Sequence, residues 1–417
     1  MMFSFPQLRR PPRSIWTSLL MLGVFLGCRS DSSVSPSTTS LTVITKTEGG
    51  VIDADGYSVL FDDGVSYVPR ATIGANSSVT ISDLPRGPLM VDLRGLAPNC
   101  FFKGPIYPPL SVEIRSGQNT SVTVEVSCIA LPGGSYRIAF TCHHWNQYLP
   151  SSPGICILNS DGSIVGLSNN AFVETEPAWS PDGQEIAFTS TRDGFPYMAI
   201  YVMDQNGSNV VRLTNPVANV RVRFPSWSPD GTKILFASNL GGDSEIFVVN
   251  ADGSNLVQLT NNTIEDDQPR FSPDGSKIVF ASNRDAPAQG LPNGKWEIYE
   301  MNADGTAARR LTNDAAIAQR PTYFKNGAKI LFDSDRLGTR DIYVMSADGS
   351  GITRLTNNPW DSYFPVPSPD ETHIMFTSGG MNGYDEIYVM NADGTLVEPL
   401  TRQTSLYESN VGYSYRR

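Results

Sequence analysis

The sequence predicts an all-β protein in which a small β-sandwich precedes a six-bladed β-propeller. One observation is a repeat of 44 to 52 residues, whose first strand begins at Pro177, Pro225, Pro269, Pro321 and Pro365. Another is that each repeat holds four short strand patterns separated by Asp-Gly turns. Repeats of this length with four strands are typical of propeller blades.

The chain begins with a pattern typical of an exported lipoprotein. Three arginines precede an apolar run from Ile15 to Leu26, and Gly27-Cys28 follows, which is the order of a secretory signal. The apolar run is short for a membrane span. Gly27-Cys28 resembles a bacterial lipoprotein processing site, so we expect residues 1–28 to be the signal and Cys28 to be lipidated. Plain signal cleavage is the alternative.

Residues 29–40 are rich in Ser, Thr and Pro and predict a flexible linker. Residues 41–130 contain short alternating strands, such as Ser78–Ser82 and Ser121–Val126, separated by Gly, Pro and Asn turns. This pattern predicts a β-sandwich domain. It resembles the carboxypeptidase-regulatory-like and transthyretin-like sandwiches of exported bacterial proteins.

The repeats occupy residues 131–417, and their turns explain their composition. In Ser-Pro-Asp-Gly the proline sets φ for the first corner of a turn, and a glycine such as Gly231 takes the left-handed position. Strands such as Ile234–Phe236 are apolar at successive positions, which predicts burial on both faces. Neighbouring blades would provide that burial.

Four runs carry a family resemblance: Pro177–Gly183, Pro225–Gly231, Ile342–Gly349 and Ile387–Gly394. They resemble the propeller repeats of TolB, the periplasmic component of the Tol-Pal envelope system. The resemblance implies a propeller fold and a place in the bacterial cell envelope. The α/β domain that precedes the propeller in TolB has no counterpart in residues 41–130.

The first blade lacks a Pro-x-Trp-Ser strand, because it begins at about Gly134 with the second strand type, Tyr136–Phe140. Near the C-terminus, Val411–Ser414 stands where that strand should be. We therefore predict that the C-terminal tail completes blade one and closes the ring. Closure also removes exposed sheet edges.

The five cysteines fit an oxidising compartment. With Cys28 assigned to the lipid, Cys100 with Cys128 and Cys142 with Cys156 predict one disulfide in each domain. A zinc site is the competing interpretation, but the spacing does not fit and the chain has only three histidines. We expect no metal and no cofactor. The net charge of −11, without a basic cluster beyond the leader, excludes nucleic acid as a partner.

The strand order separates two faces of the propeller. The turn face carries the Ser-Pro-Asp-Gly and Asp-Gly turns, and the loop face carries the loops between second and third strands and the crossings between blades. Loop length varies on the loop face, so we predict binding there. Aromatic and arginine side chains are the usual interface anchors, and the candidates are Trp145, Arg192, Phe195, Arg284, Trp296, Arg336 and Trp360.

The crossings that approach the central channel carry charges of both signs: Glu176, Arg223, Asp267, Arg320 and Asp361. An arginine there could bind a carboxylate. A solvated rim without a ligand is the alternative.

The sequence favours a binding or scaffold protein over an enzyme. It contains no Gly-x-Ser-x-Gly motif, and its histidines do not match the separated ligands of propeller lyases. We predict a monomeric propeller, held at the outer membrane by lipidated Cys28, that docks an envelope protein on its loop face. The alternatives are capture of a glycan or peptide in the channel and lactonase-type or lyase-type catalysis there.

Overall fold

The computed structural model describes residues 39–49, 57–62, 67–94, 100–102, 110–115, 118–128, 137–146, 149–150, 153–159, 163–168, 172–194, 196–284, 295–313, 316–379, 385–401, 406–407 and 414–416. The predicted signal, with Cys28, and most of the linker lie outside these residues. All regular secondary structure in the described part of the chain is β-strand. No helix there has the length and apolarity needed to cross a membrane.

Eight strands form the N-terminal region: β1 (Ser40–Gly49), β2 (Tyr57–Asp62), β3 (Tyr67–Ile73), β4 (Ser78–Ser82), β5 (Gly87–Arg94), β6 (Cys100–Phe102), β7 (Leu110–Ile114) and β8 (Asn119–Cys128). They make two four-stranded sheets, in the orders β4-β1-β8-β6 and β3-β2-β5-β7. Strands β1 and β8 run parallel, whereas the other pairs are antiparallel.

One apolar cluster joins the two sheets. Val43 and Val124 of the first sheet pack with Val59, Val91 and Ile114 of the second. Strand β7 alternates strictly between buried and exposed residues, as a strand with one face on a core should. This is the layer arrangement of a β-sandwich.

Blade one contains β9 (Arg137–Asn146), β10 (Leu149–Pro150), β11 (Gly154–Leu158) and β12 (Ile164–Gly166). Blades two to four contain β13 (Glu174–Trp179), β14 (Glu185–Ser190), β15 (Ala199–Asp204), β16 (Val211–Arg212), β17 (Val222–Trp227), β18 (Lys233–Ser238), β19 (Glu245–Asn250), β20 (Val257–Gln258), β21 (Asp266–Phe271), β22 (Lys277–Ser282), β23 (Glu297–Asn302) and β24 (Arg309–Arg310). Blades five and six contain β25 (Ala318–Tyr323), β26 (Lys329–Leu337), β27 (Thr339–Ser346), β28 (Thr353–Arg354), β29 (Ser362–Pro367), β30 (His373–Gly379), β31 (Asp385–Asn391) and β32 (Glu398–Pro399).

Six separate sheets of this kind confirm the predicted fold class. In blades two to six the strands pair in chain order, and the first strand of each blade contacts the first strand of the next. These inner strands therefore surround the channel. The second strands are buried along almost their whole length, as their continuous apolar pattern predicts.

Two short strands of the C-terminal tail, β33 (Leu406–Tyr407) and β34 (Ser414–Arg416), pair with β9 of blade one. Ser414 lies opposite Ala139, so the paired segment begins at the last residue of the predicted Val411–Ser414 strand. The tail thus supplies the inner strand that blade one lacks. Residues of blades one and six, including Phe140 and Met375, share one apolar cluster at this junction.

A disulfide joins Cys142 of β9 to Cys156 of β11, with a Cα–Cα distance of 5.8 Å. Cys100 and Cys128 lie directly opposite each other in the register of β6 and β8. Their side chains are outside the described part of the chain, so the second disulfide stays a prediction.

Candidate functional site and comparisons with known proteins

The inner strands carry a repeated β-bulge next to a proline. In blades two to six the residue before this proline has φ between 53° and 59°: Glu176, Phe224, Gln268, Arg320 and Phe364. The register with the second strand shifts at the same place in each blade. A bulge takes one residue out of the ladder, so its N–H needs another acceptor.

Side chains of the preceding blade supply several of these acceptors. The N–H of Phe224 donates to Oε2 of Glu176 at 2.7 Å, and the N–H of Arg320 donates to Oε1 of Gln268 at 2.7 Å. The N–H of Glu176 donates to Oγ1 of Thr141 in blade one at 3.1 Å. The bulges therefore link neighbouring blades around the channel.

Two of the bulge residues meet across the channel. Phe224 belongs to blade three and Phe364 to blade six, which are opposite blades, and their ring centroids are 6.4 Å apart. Both rings are almost fully buried. The channel is therefore closed at this level by aromatic side chains. We call the part of the channel on the other side of these rings from the loop face the turn-face chamber.

Three predicted channel residues come together on the loop-face side of this closure. Arg223 donates from Nε to Oε1 of Glu176 at 3.1 Å, and its Nη2 lies 3.0 Å from the same oxygen. Burial raises the pKa of Asp267 to about 7, although the nearby Arg223 and the N–H of Gln268 oppose the shift. The carboxyl of Asp267 is thus poised to change its charge near neutral pH.

The other two predicted channel residues have partners outside this group. Arg320 forms an ion pair with Asp333, Nη1 to Oδ1 at 2.9 Å, and its guanidinium covers the ring of Phe364. Burial raises the pKa of Asp333, while Arg320 and Arg340 lower it. Asp361 is exposed and accepts a hydrogen bond from the N–H of Arg340 at 2.9 Å. A common ligand site for the five residues stays a prediction.

Two of the predicted arginine anchors have acidic partners within their own blades. Arg192 and Arg284 are half-buried, and each pairs with the buried acid that begins its inner strand, Glu174 and Asp266. Arg284 also covers the ring of Tyr299, with its Cζ 4.9 Å from the centroid. The sequence suggested exposed side chains because each follows a strand in a polar loop.

Arg336 takes the same position in blade five, where its guanidinium covers Phe332 and Tyr343. Repetition in three blades indicates a structural role in fastening the loop to its own blade. Contact of these arginines with a partner protein stays a prediction.

The aromatic candidates differ in what the structure describes. Trp360 is exposed, whereas Trp296 is half-buried. Trp145 lies in β9, but its side chain is outside the described part, as is the whole of Phe195. Trp360 is thus the predicted aromatic anchor that is available on the loop face.

The sequence analysis missed four exposed apolar side chains on the same face. Together with Trp360 they form what we call the apolar rim: Tyr197, Val217, Leu240, Leu337 and Trp360. Their exposed fractions run from 39% for Tyr197 to 64% for Leu337. An apolar residue beside glycine in a tight loop, as in Leu240-Gly241 and Leu337-Gly338, is the signal that could have identified two of them.

Among the described residues, no three His, Cys, Asp or Glu side chains are grouped so that they could hold a metal ion. The channel acids instead have arginines as partners.

Comparison with known proteins identifies the type of repeat in this chain. The model described as the TolB beta propeller domain matches residues 215–291 and 290–410. The chain carries TolB-type propeller repeats. An uncharacterized protein of Agrobacterium fabrum is 27% identical over 118 residues, which are 27% of this chain and 40% of that protein. The chain therefore matches less than half the length of this relative.

Solved structures agree on the fold. TolB from Acinetobacter baumannii superposes with a TM-score of 0.57 and 23% identity, over 67% of this chain and 66% of that one. A protein assigned as TolB from Agrobacterium tumefaciens gives a TM-score of 0.51 and 21% identity, over 68% of this chain and all of that one. At these identities the likeness establishes the propeller fold and leaves activity open.

Proposed function

We propose that this chain is a non-enzymatic protein of the bacterial cell envelope, and that its propeller docks a partner protein on the loop face. The observation that supports this is the apolar rim, which lies on the loop face of a propeller whose channel is closed by Phe224 and Phe364. A closed channel offers little depth for a substrate, whereas exposed apolar residues around it suit a flat protein surface.

Single exposed apolar residues are common on soluble proteins. The rim differs because its members recur on one face, in blades two, three and five and in the crossings that enter blades three and six. Apolar and aromatic side chains within a polar surround are the usual anchors of protein interfaces. The loop face therefore has the composition of a docking surface.

The TolB-type repeats and the predicted leader support a location in the envelope. In this proposal Cys28 anchors the protein to the outer membrane, and the N-terminal sandwich separates the propeller from the lipid. The protein binds as a monomer.

A second candidate function is capture of a small ligand, such as a glycan or a peptide end, at the loop-face mouth of the channel. The observation that favours it is the group of Glu176, Arg223 and Asp267, in which one carboxyl has a pKa near 7. Perturbed carboxyl groups are frequent at ligand sites.

In-cell crosslinking with mass spectrometry tests docking on the loop face. We compare the parent with a rim variant carrying Leu240→Ser, Leu337→Ser and Trp360→Ala. A matched control carries Val211→Ser, Leu256→Ser and Leu396→Ser, which remove similarly exposed apolar residues from outer strand β16, from the position before β20 and from a turn.

We expect one envelope protein to crosslink with the parent and with the control, and its yield to fall at least about tenfold for the folded rim variant. Equal loss in both variants, or equal yield in all three proteins, contradicts docking through the rim. Ligand capture would then be tested with an Arg223→Gln variant.

A further inference from the structure

Arg270 stands in the channel without an acidic partner. It is the fifth residue of the inner strand β21, and its one hydrogen bond within the described structure joins Nη1 to the carbonyl oxygen of Pro225 at 3.4 Å. A guanidinium has five N–H donors. Most of its donors are therefore without a protein acceptor among the described residues.

The nearest acid cannot serve as that partner. Glu176 is the carboxylate whose charge acts on Arg270, but its Oε1 receives Arg223 and its Oε2 receives the N–H of Phe224. Burial lowers the pKa of Arg270. Arginine nevertheless stays charged near neutral pH. The guanidinium is therefore left without an acidic partner among the described residues, and its unpaired N–H groups are open to solvent.

Arg270 is the largest side chain at its position in the repeat. At the equivalent position of the other described inner strands the residues are Ala178, Ser226, Thr322 and Val366, all smaller than arginine. Arg270 follows the bulge on the way to the turn face, so it lies on the other side of the Phe224–Phe364 closure from the loop face. It keeps partial exposure. A small solute can therefore reach its unpaired N–H groups.

We infer that the turn-face chamber of the channel is a binding site for a small oxyanion, a carboxylate or a phosphate, held by the guanidinium of Arg270. The planar guanidinium presents two parallel N–H groups that match two oxygens of either anion. The anion would supply both the missing acceptors and the missing negative charge. This site is separate from the apolar rim and does not depend on the proposed docking function.

Thermal unfolding of the full chain at fixed pH and ionic strength tests the site. Chloride is replaced stepwise by inorganic phosphate in one series and by acetate in another. Ligand that binds only the folded state raises the unfolding midpoint with its concentration. We expect a rise of about 3 °C or more in at least one series for the parent.

The variants are Arg270→Leu and, as a matched loss of charge, Arg221→Leu on an exposed crossing. We expect Arg221→Leu to respond like the parent and Arg270→Leu to show no response. A response to phosphate alone identifies a phosphate site, and a response to acetate alone identifies a carboxylate site. No response in the parent, or the same response in Arg270→Leu, overturns the inference and leaves water as the occupant.

Arg270→Lys keeps the charge and covers the case in which Arg270→Leu does not fold. An ammonium cannot donate two parallel hydrogen bonds. Titration calorimetry with the responding anion should therefore give a dissociation constant at least about tenfold higher than in the parent. An unchanged dissociation constant would place the anion elsewhere.

Discussion

The residue before each inner-strand proline determines much of the channel's geometry. A positive φ costs an ordinary residue of the order of 1 kcal/mol. Glu176 offsets this cost, because its N–H reaches Thr141 while its carboxylate receives the N–H of Phe224 and the guanidinium of Arg223. One residue thus joins three blades.

Asp267 makes stability depend on pH. Its pKa of about 7 in the folded state exceeds the value near 3.9 expected in the unfolded chain. The folded state therefore holds a proton that the unfolded state has lost, and the resulting stability is full below about pH 4 and disappears as pH rises through 7.

We expect the Asp267→Asn variant to gain about 2 kcal/mol in free energy of unfolding relative to the parent between pH 5 and pH 8. This is less than the full shift would give, because channel water screens part of it. Urea unfolding at both pH values measures the gain. The charges that face this carboxyl are Arg223, Glu176 and Glu265. A constant difference across the range would show that Asp267 ionises normally.

Gly305 shows how closely the turns of one blade approach the next. Its φ is 86°, and a Cβ there would lie 2.5 Å from the carbonyl oxygen of Leu259. Gly305→Ala should therefore cost about 3 kcal/mol in free energy of unfolding, combining strain and a backbone clash.

Gly242→Ala is the matched control, since φ there is 126° but no atom lies within 4 Å of a new Cβ. It should cost about 1 kcal/mol, because strain acts alone. Equal losses in the two variants would show that the blade contact contributes nothing.

Among the elements, an arginine that follows the second strand packs against its own blade in blades two, four and five. In blade four Nη2 of Arg284 lies 2.8 Å from Oδ1 and 2.7 Å from Oδ2 of Asp266, a side chain with no exposed surface. Asn262 donates to the same carboxylate at 2.8 Å. The arginine therefore compensates a buried charge.

Arg284→Leu should destabilise the protein by about 3 kcal/mol, because it leaves Asp266 without its cationic partner. The double variant with Asp266→Asn should recover at least half of that loss, since no buried charge remains. Chemical denaturation of both variants measures the effect. A loss below about 0.5 kcal/mol in the single variant would mean that this pair acts like an exposed one.

For the whole molecule, the C-terminal tail decides whether the ring is closed. Deletion of residues 405–417 removes the strands that pair with β9. It should lower the melting temperature by about 10 °C or more, because the edge of blade one and the junction with blade six lose their cover.

Deletion of predicted linker residues 30–38 removes a similar length of chain and should leave the melting temperature within about 1 °C. An unchanged melting temperature in the tail variant would show that the ring does not need its closing strand.

The repeat also separates roles between the two faces. The turn face is made of near-identical hydrogen-bonded turns, such as Ser228 donating to Asp230, whose pKa falls to about 2. The loop face carries the apolar rim. Side chains on the loop face can therefore vary without disturbing the turns that define the blades.

The sequence by itself determined the blade count, the strand order and the two faces, because turn residues and apolar runs act over a few neighbouring positions. It also indicated the tail closure, since a missing strand type in blade one has a counterpart near the C-terminus.

Only the tertiary structure decided which polar residues already have partners within the protein and which remain available to bind a ligand. Arg192 and Arg284 looked exposed until their buried acids were placed beside them, and Arg270 looked unremarkable until Glu176 proved to be occupied by Arg223. The same holds for Phe224 and Phe364, which lie 140 residues apart in the chain and meet across the channel. Pairing and burial depend on contacts between residues that are far apart in the chain. The local sequence pattern of a single repeat does not predict such contacts.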